Sequence, residues 1–143
     1  MEPLAIRPYD SSRDEDAVID LWRRCDLVVP WNDPRRDIEA KLAFQPDLLL
    51  VAEREGVVVG SVMAGYEGHR GWINYLAVEP RLRRCGVGRR LMEAAEALLH
   101  PLGCQKVNLQ VRSGNHSAVE FYRRLGYSVD DVVGMGKRLD ESH

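Results

Sequence analysis

Apolar residues recur with two different periods along this chain, and the points where the period changes divide it into strands and helices. Alternating or continuous aliphatic runs predict strands at residues 4–9, 48–53, 57–65, 72–78, 105–111, 127–129 and 132–137. Spacings of three and four predict helices at residues 18–25, 34–43, 86–102 and 115–125. Ser12 and Glu15 match a capping box, which would begin the first helix just after Ser12.

The order of these elements favours a mixed α/β sheet in a single domain that spans residues 1–143. The pattern over residues 72–111 predicts strand, helix and strand, and such a crossover joins two parallel strands. Short turns elsewhere join antiparallel strands. We therefore expect helices on the faces of a mainly antiparallel sheet, with a ligand cleft near the parallel pair.

Composition and charge argue against several classes of function. The formal net charge is −2 over 143 residues, which disfavours nucleic acid as a partner because phosphate binding usually needs a basic face. Three cysteines and four histidines lack the spacing of a disulfide framework or a metal site. Residues 48–52 form the longest strictly apolar run, and residues 1–10 lack a signal-peptide pattern. We expect a cytoplasmic protein without membrane or metal partners.

Glycines and arginines meet between the strand predicted at residues 72–78 and the helix that follows. Arg83, Gly86 and Gly88 form a basic-x-x-Gly-x-Gly pattern. Glycine lets a ligand approach the backbone closely, and the first N–H groups of a helix attract anions such as pyrophosphate. Leu91 stands where a dinucleotide fingerprint needs its third glycine, and a Walker sequence is absent. A glycine-rich helix start with solvated arginines is the alternative interpretation.

A second segment makes the pattern more specific. Residues 111–127 contain a strand end, Asn115, a helix that carries Tyr122, and a Leu-Gly-aromatic end. In this order and separation, the two segments resemble the cofactor loop and the later motif of the GNAT superfamily of N-acetyltransferases. Finer features, including residues 25–34 and 65–71, resemble YpeA-like bacterial acetyltransferases.

The resemblance implies an acetyl-CoA-dependent N-acetyltransferase in which a primary amine attacks the thioester directly. Its sheet would have six to seven strands with a splayed central parallel pair, and about four helices would cover its faces. The backbone of Leu76, Ala77 and Val78 would bind the pantetheine arm and polarise the thioester carbonyl. The pyrophosphate would be held by Arg83, Arg84, Cys85, Gly86, Val87, Gly88 and Arg89, and Asn115 would hydrogen-bond the pantetheine or phosphate region.

Tyr122 is the candidate general acid under the same resemblance. A phenol has an ordinary pKa of about 10, so it is protonated at neutral pH and can donate to a leaving thiolate. A core tyrosine on one stripe with Ala118 and Leu125 is the alternative. The general base stays open, because the glutamate of some protein-acetylating relatives corresponds to Gln110 here. The remaining options are a water chain, Glu67, His69 and Glu79.

The acceptor is an amine of a small molecule or a protein, which the sequence does not identify. Residues 31–33 form a candidate acceptor wall, although Trp31 could equally pack under its loop. The alternative function is a non-catalytic module that senses acyl-CoA, and a homodimer is one option for the oligomeric state. Cys85, among arginines and beside a helix start, is predicted to be the most reactive cysteine, although an ordinary thiol fits as well.

Overall fold

The computed structural model describes residues 3–140, which contain five strands and four α-helices. The chain divides into two compact units, Met1–Leu109 and Gln110–His143, called the first and second unit below. The first unit carries β1 (Ala5–Pro8), α1 (Glu15–Arg24), α2 (Pro34–Phe44), β2 (Leu49–Arg54), β3 (Val57–Tyr66), β4 (Gly71–Val78), α3 (Val87–Leu99) and β5 (Val107–Leu109). The second unit carries α4 (His116–Arg124).

The sheet is mixed and mainly antiparallel, as the sequence predicts. Its strands lie in chain order from β1 to β5, and only β4 and β5 are parallel. This parallel pairing covers Gly71–Ile73 of β4 and Val107–Leu109 of β5. Because β4 continues to Val78, its second half extends beyond the pairing with β5, and the parallel pair separates there.

Helices cover both faces of the sheet in the first unit. Gly60 and Ser61 are successive residues of β3 and therefore face opposite sides. A Cβ at Gly60 would meet Leu91 Cδ1 of α3 at 2.9 Å, so glycine allows the close approach of that helix. On the opposite face, Ser61 Oγ accepts a hydrogen bond from Trp22 Nε1 of α1 at 2.8 Å.

Each helix buries an apolar stripe. In α1, Val18, Leu21 and Trp22 are buried, as their spacing predicts. In α3, the buried stripe contains Val87, Leu91, Met92, Ala95 and Leu99, which recur at spacings of three and four. Leu98 is left exposed on the helix surface.

The predicted capping box is wrong. Helix α1 begins at Glu15 after the N-cap residue Asp14, and Ser12 donates to Asp10 instead. The Asp14 carboxylate makes a bidentate ion pair with Arg7 of β1, at 2.7 Å and 3.0 Å. This pair ties the start of α1 to the sheet through a charge that local sequence patterns do not predict.

The prediction of six to seven strands is also wrong, since the described chain has five. β5 is limited to Val107–Leu109, the residues that pair with Gly71–Ile73 of β4. Neither strand predicted in residues 127–137 forms. Asp130 and Asp131 separate the apolar residues there, Gly134 lowers strand propensity, and Val132 is 76% exposed, so no packed face rewards pairing. Within residues 3–140, no helix has the length and apolarity that a membrane crossing needs.

Candidate active site

The chain between β4 and α3 passes twice through left-handed backbone. A short 3-10 turn, Pro80–Leu82, follows β4. Arg84 has a φ of 67° and Gly86 a φ of 87°, and Gly86 is the N-cap residue of α3. Glycine adopts this φ without strain because it has no Cβ. The helix start predicted from the glycine pattern is therefore present, beginning one residue after Gly86.

The first turn of α3 has the features of an anion site. The N–H groups of Val87, Gly88 and Arg89 lie in the first turn of α3, where no helical carbonyl stands four residues earlier to accept from them. The helix itself therefore leaves them without a partner. No acidic residue lies in this turn. Arg83, Arg84 and Arg89 are exposed around it, and Arg89 makes only a long ion pair with Glu93, at 3.8 Å. Fork-shaped donors and a helix N-terminus together favour phosphate groups.

β4 carries a bulge just before the residues predicted to bind the pantetheine arm. Asn74 pairs with Met63 and Ala77 pairs with Ser61, so two residues of β4, Tyr75 and Leu76, oppose one residue of β3. Tyr75 has a left-handed φ of 52°. A bulge redirects backbone groups out of the ladder, and the pairing with β5 has already ended at Ile73. Within the first unit, the backbone of Leu76–Val78 therefore lies at an edge of the sheet that β5 does not cover.

Four side chains surround this bulge, and sequence reasoning assigned none of them a role. The Tyr75 ring stacks on the Trp22 ring, with 3.7 Å between centroids. Tyr75 Oη donates to Asp37 Oδ2 at 2.6 Å, and Ser61 Oγ donates to the Tyr75 carbonyl at 2.9 Å. Burial, followed by the hydrogen bond to Asp37, raises the pKa of Tyr75. The only sequence signal was the aromatic type of Trp22 and Tyr75, which is ordinary in a core.

The second unit holds the other two predicted site residues. Asn115 caps α4, since its Oδ1 accepts from the Ala118 N–H at 3.1 Å. Tyr122 is half-buried and touches the rings of Phe121 and Tyr127 edge-on, at centroid distances of 5.1 Å and 5.9 Å. Burial raises the pKa of Tyr122 to about 12, which keeps the phenol protonated.

Comparison with known proteins decides the family. The sequence model of the acetyltransferase (GNAT) family matches residues 16–127, which is most of the chain. An acetyltransferase of Pectobacterium atrosepticum is 50% identical over 128 residues, covering 90% of this chain and 91% of that protein. An acetyltransferase of Yersinia enterocolitica is 46% identical over 136 residues, covering 95% and 96% of the two chains. The chain belongs to the GNAT acetyltransferase family.

The fold of a solved GNAT enzyme agrees with this assignment. The structure of the aminoglycoside N-acetyltransferase AAC(6′)-Iy in complex with CoA superimposes with a TM-score of 0.77 at 18% identity, covering 98% of this chain and 97% of that one. The predicted GNAT resemblance and acyltransferase class are confirmed. Acetyl-CoA, the acetyl donor of this family, is the cosubstrate that the sequence predicted.

The structure weakens the case for two of the open general-base candidates in this GNAT chain. Glu67 accepts from the backbone N–H groups of His69 and Arg70, which lowers its pKa. Glu79 is paired with Arg24, which also lowers its pKa. Each carboxylate therefore binds a proton less readily than usual and serves a turn or an ion pair. His69 is exposed in the β3–β4 turn, and Gln110 is exposed after β5.

The loop that precedes α2 is open to solvent. Trp31 is 56% exposed, so the interpretation in which it packs under the loop is wrong. Asp33 caps α2 by accepting from the Arg35 N–H at 3.0 Å. The candidate acceptor wall therefore offers an exposed aromatic surface beside a structural cap.

Proposed function

We propose that this GNAT chain transfers an acetyl group from acetyl-CoA to a primary amine by direct attack. The observation that carries the proposal is the continuous path from the bulged half of β4 to the exposed N-terminus of α3. The bulge interrupts the pairing of β4 with β3, and the pairing with β5 stops at Ile73, before Leu76–Val78. The α3 N-terminus offers N–H groups and arginines to phosphates. One extended ligand with an amide-rich arm and a pyrophosphate suits both parts.

Each predicted cofactor residue has a physical role in this proposal. Backbone groups of Leu76, Ala77 and Val78 hydrogen-bond the pantetheine arm, and an N–H among them polarises the thioester oxygen. Arg83, Arg84 and Arg89 supply charge, and the backbone from Cys85 to Gly88 supplies N–H donors to the pyrophosphate. Asn115 hydrogen-bonds the pantetheine or phosphate region through its side-chain amide. The Oδ1 of the same amide caps α4.

The proposed reaction forms one bond and breaks another. The amine nitrogen attacks the thioester carbon, a tetrahedral oxyanion forms, and the C–S bond then breaks with the electron pair on sulfur. Tyr122 gives its phenolic proton to the departing thiolate, and because burial raises its pKa to about 12, the phenol still carries that proton at neutral pH. The amine loses its proton through water, because the lowered pKa values of Glu67 and Glu79 make both poor bases.

Comparison with a solved structure supports an amine as the acceptor but does not identify it. The superimposed AAC(6′)-Iy is by its description an aminoglycoside N-acetyltransferase. An amine acceptor is therefore the expectation for this chain, and its identity, a homodimeric state and a cytoplasmic location stay predictions. A non-catalytic acyl-CoA sensor is the alternative that the same site would permit.

The test is acetyl transfer to a panel of amines, followed by the release of CoA thiol and by the mass of the product. We expect turnover with at least one amine and none in the Gly86→Asp variant, whose new carboxylate lies at the phosphate site. Gly56→Asp is the matched control, since Gly56 is also left-handed and unobstructed but lies in the β2–β3 turn. Tight acetyl-CoA binding without turnover across a broad panel would favour the sensor instead.

A further inference from the structure

Tyr75 is held from three sides at the bulge of β4. Its φ of 52° is rare for a bulky aromatic residue and persists only where the surroundings fix it. The ring stacks on Trp22 with 8° between the planes. The hydroxyl donates to Asp37 Oδ2 at 2.6 Å, and the carbonyl accepts from Ser61 Oγ at 2.9 Å. Side chains from α1, α2 and β3 therefore fix a single residue.

The contacts around Tyr75 are linked to one another. Trp22 Nε1 donates to Ser61 Oγ at 2.8 Å, so the hydroxyl that holds the Tyr75 carbonyl is itself held by the residue that stacks on its ring. Trp22 and Ser61 are fully buried. Removing a member would leave a buried polar group without its partner, which typically costs about 1–3 kcal/mol. The bulge is therefore a fixed feature of the first unit.

Packing alone does not explain the hydroxyl of Tyr75. A phenylalanine would keep the stack on Trp22 and the hydrogen bond from Ser61. The hydroxyl adds one contact, to the half-buried Asp37, and Asp37 forms no ion pair with any residue in the described range 3–140. A half-buried carboxylate without an ion pair depends on its hydrogen bond and on its place in the first turn of α2. The Asp37 carboxylate accepts a hydrogen bond from Tyr75, the residue that immediately precedes Leu76.

We propose that Tyr75 is a positioning residue, which Trp22, Ser61 and Asp37 lock so that the following Leu76–Val78 backbone presents its donor to the thioester oxygen. This inference rests on the proposed function. Transition-state stabilisation depends on donors that are already oriented before reaction. A displacement of about 1 Å can cost about 100-fold in rate, so loosening the bulge would slow the chemical step without removing the cofactor site.

The first experiment compares kcat, the Kd of acetyl-CoA and the melting temperature of matched variants. Tyr75→Phe and Asp37→Ala should each lower kcat by about 10- to 100-fold, with Kd changed by less than about threefold. Asp37→Asn keeps an oxygen that accepts from Tyr75 Oη and should retain most of the activity. Tyr9→Phe is the control, because it removes a hydroxyl from the same core cluster away from the bulge.

Two results of this series would overturn the inference. Equal losses of kcat in Tyr75→Phe and Tyr9→Phe, in proportion to their melting temperatures, would show that Tyr75 acts only through stability. Equal losses in Asp37→Asn and Asp37→Ala would show that the charge of Asp37 matters rather than its hydrogen bond to Tyr75.

The second experiment needs no acceptor and separates this inference from the proposed function. Isotope-edited infrared spectra of bound [1-¹³C]acetyl-CoA report the polarisation of the thioester carbonyl. We expect a lowered stretching frequency in the wild-type protein and a shift back toward the solution value in Tyr75→Phe. The same lowered frequency in both proteins would overturn the inference and leave the proposed function intact. Failure of the wild-type protein to bind acetyl-CoA would overturn both.

Discussion

Lys41 Nζ donates to Gln45 Oε1 at 3.0 Å, so a neutral amide is the hydrogen-bond partner of a lysine that is only 9% exposed. Burial lowers the pKa of Lys41 to about 8. The Phe44 ring lies 6.0 Å from the nitrogen, and no carboxylate in residues 3–140 forms an ion pair with it. Lys41 is therefore charged at neutral pH in surroundings that disfavour the charge.

Replacing Lys41 by methionine should stabilise the protein at neutral pH. The folded state lowers the lysine pKa from 10.5 to about 8, so the cost of the charge is fully present below pH 8 and disappears as the pH rises toward 10.5. We expect a gain of about 1–2 kcal/mol at pH 7, allowing for partial solvation of the amine. Gln45 Oε1 keeps a partner in the Tyr66 N–H at 3.2 Å.

Denaturant unfolding at pH 7 and pH 10 measures this difference. The advantage of Lys41→Met over the wild-type protein should shrink at the higher pH. Lys137→Met, at an exposed lysine, is the control for a general effect of lost charge. A gain that is the same at both pH values would contradict the proposed cost of charge at Lys41.

Gly86→Asp should weaken CoA binding by more than about tenfold. The new carboxylate would lie beside the free N–H groups of α3 and repel phosphate. A Cβ added at Gly86 would meet no heavy atom within 4 Å, but the φ of 87° strains any side chain there. Gly86→Asn therefore controls for the left-handed strain without adding charge. Gly88 is buried, so a substitution there would disturb packing as well.

Calorimetry and thermal melts check the Gly86 prediction. Saturating CoA at about 100 times its Kd should stabilise the wild-type protein by about 2.7 kcal/mol, because the ligand binds the folded state. Gly86→Asn should keep most of this shift and Gly86→Asp should lose it. Near-normal affinity in the aspartate variant would place the phosphates elsewhere.

The sequence predicts those elements that are determined by residues close together in the chain. The sequence predicts a helix that begins at Gly86, and in the structure α3 begins one residue later, at Val87, with Gly86 as its N-cap residue. It also predicts the crossover between β4 and β5, since strand, helix and strand follow in order. The helix predicted at residues 115–125 is a third example, since α4 spans His116–Arg124 and Asn115 caps it by accepting from the Ala118 N–H.

The features that escaped prediction depend on distant contacts. The bond from Tyr75 to Asp37 joins residues 38 positions apart, and no period marks either one. The bulge at Tyr75 arises from pairing with β3, so it has no signature within β4 alone. β5 was predicted too long because its alternation continues to Val111, whereas its pairing with β4 stops at Leu109, opposite Ile73. The length of β5 depends on where this pairing stops, which alternation within one strand does not show.

Tyr122→Phe should lower turnover while leaving CoA affinity nearly unchanged. The lost hydroxyl is the proposed proton donor to the thiolate, and such groups contribute about 10²- to 10⁴-fold. With its pKa raised to about 12, the phenol stays protonated at ordinary pH, so wild-type turnover should not fall between pH 7 and pH 10. Tyr127→Phe is the matched control on the neighbouring ring.

Steady-state kinetics across pH 6–10 separate the two interpretations of Tyr122. A core tyrosine would lose a little stability and no turnover on becoming phenylalanine. Turnover of Tyr122→Phe equal to that of the wild-type protein at every pH would assign Tyr122 to packing. Comparable losses in Tyr127→Phe would also argue against a specific acid.

Cys85 should react with iodoacetamide before the other two cysteines, and bound CoA should slow its reaction. Cys85 is exposed between the left-handed Arg84 and Gly86, beside the N-terminus of α3, where a reagent can reach it. Cys25 is half-buried with Sγ 3.3 Å from the Val78 carbonyl, and Cys104 is buried with Sγ 3.4 Å from the Lys106 carbonyl.

Mass spectrometry of brief labelling, with and without CoA, measures the order in which the cysteines react and the protection of Cys85 by CoA. Exposure alone would also label Cys85 first, so the decisive readout is protection by CoA. A labelling rate of Cys85 that bound CoA leaves unchanged would separate this residue from the phosphate site.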